Sequence, residues 1–350
     1  MADRGKWLSA DLRCSKAFDA FYNLGILARL PAGIRGCGAI FLLHRVAMPG
    51  SAFLARKDVI STAALEAILQ AARELHCEIL RLDEVTARLQ GKDSGQPFVC
   101  FTFDDGYADN LSLALPLFRK YGIPFCVYVT TGFVSRTHEP WWHVLEAAAL
   151  KSDELVFEDS ESHEIRLPAR TYEEKVAAFE SASGVLFEQK GDAYRQLDRL
   201  RTRYDIPFGS TLDALYCTWK QVEELAHDPL VTIGNHSVAH SYLPSVSSSE
   251  RLEELEHSKS VLEDRLHLTV RHFSYPFGGY DSTVMRDAAG CGFATSVTTE
   301  SSNLFPQHRD QPMAWPRRTL NVLQDSVAFF RNALFGADHF YRWVRRRPLY

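Results

Sequence analysis

The sequence predicts an α/β chain in which a parallel sheet is covered by helices. Two observations carry that reading. Short segments such as Ala39–Leu43, Phe98–Phe103 and Phe125–Val129 are apolar at nearly every position, the pattern of strands buried on both faces. Amphipathic helical segments separate them, so strand and helix alternate over nearly 300 residues. About seven such runs favour a barrel over a doubly wound sheet.

Residues 7–30 space Trp7, Leu8, Leu12, Phe18, Phe21, Leu24 and Leu27 at helical intervals, which predicts a helical extension over 1–35. After Gly36 and Gly38 the strand Ala39–Leu43 begins, followed by a helix from Ser61 to Leu75 with Ser61 or Thr62 as its cap. The run Ile79–Leu82 leads into a helix over Asp83–Gln90, and Phe98–Phe103 into a helix over Asn110–Tyr121. Phe125–Val129 follows the turn Gly122-Ile123-Pro124. From about 135 to 211 the alternation breaks into charge-rich, helix-compatible sequence, read as an inserted helical subdomain. It then resumes with the helix Thr218–His227, the run Leu230–Gly234, the long helix Ser248–Leu266 and the runs His272–Tyr275 and Phe293–Val297. The last segment, 326–350, is a tail of interleaved aromatic and basic residues.

Composition narrows the function classes. With 39 basic and 44 acidic residues the formal charge is −5, which gives no basic face for a nucleic-acid partner. The seven cysteines include no C-x-x-C pair, and the apolar settings of Cys100 and Cys126 suit buried thiols in a reducing compartment. No stretch reaches the roughly 18 apolar residues of a spanning helix, and charges interrupt the opening segment. A cytoplasmic protein is expected. The alternative is a peripheral contact at the inner face of the membrane through the tail His339–Arg347.

Active sites of such barrels sit where the strands end. His44 follows the first run, Asp104-Asp105-Gly106 follows Phe98–Phe103, and Asn235-His236 follows Leu230–Gly234, with His240 four residues on. Two imidazoles and a carboxylate suit a borderline divalent cation such as zinc with coordination positions left open. The spacing of His236 and His240 puts both rings on one side of a helical turn, or a loop brings them together. Two adjacent carboxylates after a buried strand repel one another unless a positive charge intervenes. Consecutive residues diverge at a strand end, so one carboxylate can ligate while its neighbour faces water. Gly106 permits a sharp turn after which the Tyr107 N–H can face an oxyanion. The competing reading makes D-D-G a plain polar turn.

Thr102-Phe103-Asp104-Asp105-Gly106-Tyr107, Asn235-His236-Ser237-Val238-Ala239-His240 and Phe273-Ser274-Tyr275-Pro276-Phe277-Gly278 together resemble the motifs of the polysaccharide deacetylases, the NodB-like carbohydrate esterase family 4. The similarity runs from His44-Arg45-Val46 to about Leu320, including Trp141-Trp142, Thr218-Trp219 and Trp315-Pro316-Arg317. The resemblance implies a distorted seven-stranded β/α barrel over 36–325, interrupted by the insertion. It implies a metal-dependent hydrolase that removes N-acetyl groups from a glycan, with zinc, cobalt, nickel or manganese as the ion. Carried over, Asp105, His236 and His240 are the ligands, Asp104 the general base and Tyr107 the oxyanion donor. His44 is the acid, as in the biofilm-polysaccharide branch, because His308 and His339 lack the family's late-histidine context. Ser274 stands where the family often has the arginine that orients the base; Arg317 is the expected replacement, with Arg318 and Arg271 as alternatives. Trp142, Pro276, Phe277, Gly278 and Tyr280 are expected at the substrate groove, with Trp141 and Trp219 as further stacking candidates. The runner-up functions are a catalytically silent sugar-binding protein on the same fold, an O-acetyl esterase, and ferrous-iron oxygen chemistry.

Overall fold

The computed structural model describes residues 20–49, 51, 58–91, 94–159, 161, 163–188 and 193–346. Most of the predicted leading helix lies outside them; residues 20–23 are helical.

Continuous apolar sequence becomes parallel strand. β1 (Gly38–Leu43) is buried along its whole length and pairs in parallel with the equally buried β5 (Phe98–Phe103) from Gly38↔Phe98 to Leu43↔Phe103. A short parallel pair, β2 (Arg45–Ala47) and β3 (Val59–Ser61), follows β1, and β4 (Glu78–Ile79) flanks the start of β5. β6 (Phe125–Val129) pairs with β5, then β9 (Val231–Asn235) with β6 from Phe125↔Val231 to Val129↔Asn235. β10 (His272–Ser274), β11 (Thr295–Ser301) and β12 (Trp315–Thr319) complete the ring, which closes in the order β1-β12-β11-β10-β9-β6-β5 and back to β1. All seven ring strands are parallel. The ring is uneven. β9 and β10 share the single register pair Phe273↔Asn235, and the β11–β12 register shifts between Val297 and Ser301.

The predicted runs Ala39–Leu43, Phe98–Phe103 and Phe125–Val129 are strands, and Ser61 caps the helix Thr62–Glu74 by accepting from Ala64 N at 3.1 Å. The run expected at Ile79–Leu82 shrinks to two residues because Leu82 already opens the next helix, Leu82–Gln90.

Alternation sorts each strand. Val99, Phe101 and Phe103 of β5, with Phe125, Val127 and Val129 of β6, join the layer beneath the helices. Phe98, Cys100, Cys126, Tyr128, Val297 and Trp315 form a separate cluster filling the ring. Continued by twos, the inward rows reach Asp104 from Phe98, His236 from Thr232, and Arg317 from Trp315. One mouth of the barrel therefore collects polar groups.

The segment between β6 and β9 is helical as expected but adds a hairpin that the expectation lacked. Helices Trp141–Lys151, Tyr172–Glu188, Ala193–Tyr204 and Ser210–Leu215 accompany an antiparallel hairpin of β7 (Glu154–Glu158) and β8 (Glu164–Pro168). Leu155, Phe157, Ile165 and Leu167 turn one face of that hairpin into a local core with Leu145, Phe179 and Leu200. The charges that suggested helix lie on its other face, where Arg166 bridges Glu154 and Glu164. Among the described residues the cysteines are free, and no helix is long and apolar enough to cross a membrane.

Candidate active site

The β5 terminus builds the centre. Asp104 continues the inward row and is anchored by its N–H to Leu43 O (2.9 Å). By alternation Asp105 would point outward, but it adopts φ 77° and Gly106 φ 78°, so the chain folds back and both carboxylates face the barrel mouth. Ser237 (φ 68°), His240 (φ 58°) and Phe277 (φ 56°) are also left-handed non-glycine residues around the same centre. Such strain persists only where the surroundings enforce it. At Gly278 (φ 68°) a Cβ would collide with Thr299 Oγ1, so this turn admits only glycine.

His236 and His240 meet through a loop, not a helical turn. The loop is clamped by Glu254, whose carboxylate accepts from Val238 N (2.9 Å), Ala239 N (3.0 Å) and Ser241 Oγ (2.9 Å). Asn235 Oδ1 accepts from Ser237 N, and Ser237 Oγ from His240 N. Glu254 lies in a π-helical turn, Glu253–His257, within the long helix. A second such turn, Asn110–Ala114, presents Asn110 Nδ2 to His44 O at 2.8 Å. These inserted turns rotate side chains toward the site that a regular helix would direct elsewhere.

Asp105, His236 and His240 form a buried group whose ligand atoms lie within 4.8 Å of one another. Asp105 Oδ1 is 3.3 Å from His236 Nε2 and 3.4 Å from His240 Nε2. For tetrahedral coordination with bonds of 2.0–2.2 Å, neighbouring ligand atoms stand about 3.3 Å apart. Asp105 Oδ1 is buried without a hydrogen-bond partner, a costly state for a carboxylate that a cation relieves. His236 Nδ1 faces Ser274 O at 2.7 Å, which leaves Nε2 free to ligate. The donor set fits a borderline divalent ion.

Asp104, whose Oδ2 stands 3.8 Å from His236 Nε2, takes its hydrogen bonds from other groups. Arg317 of β12 donates from both terminal nitrogens to its two carboxylate oxygens at 2.7 Å, and Ser274 Oγ donates to Oδ2 at 3.0 Å. Arg317 also bonds Thr298 O, Thr102 Oγ1 and Ser274 Oγ. Burial pushes the Asp104 carboxyl up, but Arg317 and His236 outweigh it and leave it below the ordinary carboxylate range. Burial likewise opposes ionisation of Asp105, but the neighbouring imidazoles of His236, His240 and His44 outweigh it and hold its carboxyl below the ordinary range. Burial lowers His236, but the two aspartates raise it above its usual value; burial of His240 prevails and takes it down to about 3.

The expected arginine replacement is thus Arg317. Arg318 points to the other side of β12, where it pairs with Asp338 at 2.8 Å, and the largely exposed Arg271 stands 4.0 Å from Asp83. Ser274 explains the exchange, since its small side chain leaves room for a guanidinium arriving from β12 and bonds to it. Half-buried His44 follows β1 at this mouth and lowers both aspartates electrostatically. His339 lies with Arg318 and Asn303 near the start of β1, and His308 accepts from Phe305 N. Neither late histidine reaches the aspartates.

Aromatic rings enclose His240: Trp142 at 5.0 Å, Phe277 at 4.4 Å and Phe133 at 6.1 Å between ring centres. Pro276 is buried beside Phe277. Three further expected groove residues make other contacts. Tyr280 stacks on Tyr275 and donates its hydroxyl to Glu300, Trp141 is buried in the inserted segment's own core, and Trp219 bonds Ser135 beneath Arg265. The sequence reading missed Ser274 as a ligand of the base, Glu254, and half-buried Asp58, whose carboxyl burial raises against the pull of His44.

A family model described as polysaccharide deacetylase matches residues 91–296, more than half of the 350-residue chain. The chain belongs to the polysaccharide deacetylase family. That match contains Asp104, Asp105, His236 and His240 but stops short of His44 and Arg317, which β1 and β12 bring in as the barrel closes. The Bacillus subtilis (strain 168) relative YxkH is 20% identical over 224 residues, 64% of this chain and 51% of its own, so this chain spans about half of that relative. Among solved structures, the Streptococcus pyogenes deacetylase PplD in complex with acetate is 17% identical with a TM-score of 0.56, covering 85% of this chain and 97% of its own. IcaB from Ammonifex degensii is 19% identical with a TM-score of 0.55, covering 85% and 98%. These likenesses establish the fold of the polysaccharide deacetylase barrel.

Proposed function

We propose that this polysaccharide deacetylase family member hydrolyses the N-acetyl groups of an oligosaccharide or polysaccharide. The observation that carries the reading is the division of labour between adjacent carboxylates: Asp105 faces two imidazoles, whereas Asp104 faces an arginine. Sugar-binding proteins and oxygenases need no second, ionised carboxylate beside a ligand set.

Asp105, His236 and His240 would hold a divalent ion, for which we propose zinc with cobalt, nickel or manganese as substitutes. Such an ion supplies Lewis acidity, lowering the pKa of water toward about 7 and polarising a carbonyl. Asp104, kept ionised by Arg317, takes the proton of the attacking water on a carboxylate oxygen. We assign the Tyr107 backbone N–H as the donor to the developing oxyanion. His44 gives a proton to the departing amine, which otherwise leaves as a poor anion. Trp142 and Phe277 exclude water beside His240 and offer apolar contact to the acetyl methyl.

Acetate release decides the matter. Zinc-loaded protein is incubated with N-acetylated oligosaccharides and O-acetylated controls, alongside chelator-treated protein. Metal-dependent acetate from the amides supports the proposal. Release from O-esters alone makes the protein an esterase, and none from any substrate leaves a binding protein.

A further inference from the structure

Beside the ligands, a polar cluster joins Tyr107 and Trp142 to two buried residues, His143 and Glu146, that have no part in those steps. The helix Trp141–Lys151 of the inserted segment carries Trp142, His143 and Glu146; the first two reach Tyr107 in the loop after β5, and Glu146 reaches His143. Trp142 Nε1 lies 3.4 Å from Tyr107 Oη, Tyr107 Oη lies 3.0 Å from His143 Nε2, and His143 Nδ1 lies 3.3 Å from Glu146 Oε2. Tyr107, His143 and Glu146 are buried.

The chemistry of these groups fixes the direction of the chain. An indole only donates, so Trp142 donates to Tyr107 Oη. A carboxylate only accepts, so His143 carries its proton on Nδ1 and donates it to Glu146. His143 Nε2 is then bare and accepts the Tyr107 hydroxyl. One consistent chain of donors and acceptors therefore links Trp142, Tyr107, His143 and Glu146.

The network acts on a residue at a sharp turn of the chain. Tyr107 follows two left-handed residues, Asp105 and Gly106, and its ring stacks on Tyr216 at 4.5 Å. The loop is pinned on one side by Cys217 N donating to Gly106 O and on the other by Asn110 N donating to Tyr107 O. Stacking on Tyr216 and the Arg45 guanidinium 5.4 Å over the ring fix its plane, and the hydroxyl bonds fix its position within that plane.

We infer that His143, supported by Glu146, is a positioning residue that sets the pose of Tyr107 and thereby the aim of the Tyr107 backbone N–H. The inserted segment is in this way a working part of the site. The inference rests on the deacetylase reading, because the N–H has a task only if an oxyanion develops beside it.

The test compares wild type, His143→Phe and His143→Gln, all zinc-loaded. Phe keeps the size and removes both bonds, whereas the Gln amide can accept from Tyr107 and donate to Glu146. We expect His143→Phe to lower kcat for acetate release about tenfold, in the range of supporting-residue losses, with KM unchanged, and His143→Gln to recover most of it. Wild-type kcat in His143→Phe, a matching change in KM, or no recovery in His143→Gln overturns the assignment. Nitrogen–proton correlation NMR reads the wild-type ring without turnover: the Nδ1-protonated tautomer is expected, and the Nε2-protonated tautomer overturns the chain. If wild type releases no acetate yet shows the Nδ1 tautomer, the deacetylase reading fails and the hydrogen-bonded chain stands.

Discussion

Arg317→Met is the sharpest perturbation of the site. The guanidinium is fully buried and its fork meets both oxygens of Asp104 at 2.7 Å, so methionine replaces its length but leaves a buried carboxylate without its main counter-charge. Breaking a buried pair from one side costs about 3–5 kcal/mol. At about 1.4 kcal/mol per pKa unit, Asp104 escapes that cost by taking up a proton once its pKa has risen by two units or more. Its wild-type carboxyl is depressed, so base catalysis there is lost only in acid; raising the pKa moves that loss to higher pH. The acidic limb of the kcat/KM profile, followed from about pH 4 to 9, is therefore expected to shift upward by about two to four units, with the largest loss of turnover at the acidic end. The double variant Arg317→Met, Asp104→Leu removes the orphaned charge and should regain stability in denaturant titrations without regaining activity. An unshifted profile with normal turnover in Arg317→Met would refute the pairing as the reason Asp104 works.

Other consequences are equally open to measurement. Glu254→Ala frees the loop between His236 and His240 and should weaken zinc binding about 10- to 100-fold, read by competition with a chromophoric chelator; unchanged affinity would show that the loop holds itself. His339 is lowered to about 4 by burial, while Arg318 and Asn303 N donate to its Nε2. The unfolded chain, at about 6.5, takes this proton first, so stability from this group declines as pH falls from about 6.5 toward 4, with a slope of up to 1.4 kcal/mol per unit; His339→Gln should flatten that part of a urea-midpoint series. Phe187, exposed on the inserted segment, lies 5.4 Å from the Phe277 ring; Phe187→Ala should raise KM for long oligosaccharides and spare short ones, and an equal effect on both would remove it from the groove. The C-terminal helix Ala337–Arg346 is proposed to touch anionic lipid, in which case Val344→Asp, at an exposed site, should reduce sedimentation with acidic vesicles, and identical sedimentation excludes the contact.

The barrel is legible in the sequence because parallel strands buried on both sides leave unbroken apolar runs, and because the residues just past the end of each run must lie at one mouth. The same logic explains Arg317 over Arg318. Counting by twos from Trp315, which fills the barrel, reaches Arg317 on the inside and leaves Arg318 outside with Asp338. The β7–β8 hairpin carries its own alternation, Leu155 with Phe157 and Ile165 with Leu167, but interleaved Glu and Arg make the same stretch read as a charged helix. Sequence periodicity fails where the backbone departs from regular geometry. Glu254 sits among Glu253 and Glu256 on a long polar helix and reads as a solvated face; only the π turn aims it at the ligand loop. Asp105 would face the helical layer if β5 simply continued, and its left-handed conformation is what turns it to His236 and His240. His143 satisfies a helical pattern as an ordinary core residue, and its partner Tyr107 lies 36 positions away. The residues hidden from the sequence are therefore those that hold the chemistry in place, because an alternating pattern records which way a side chain points and not what it meets when the chain bends.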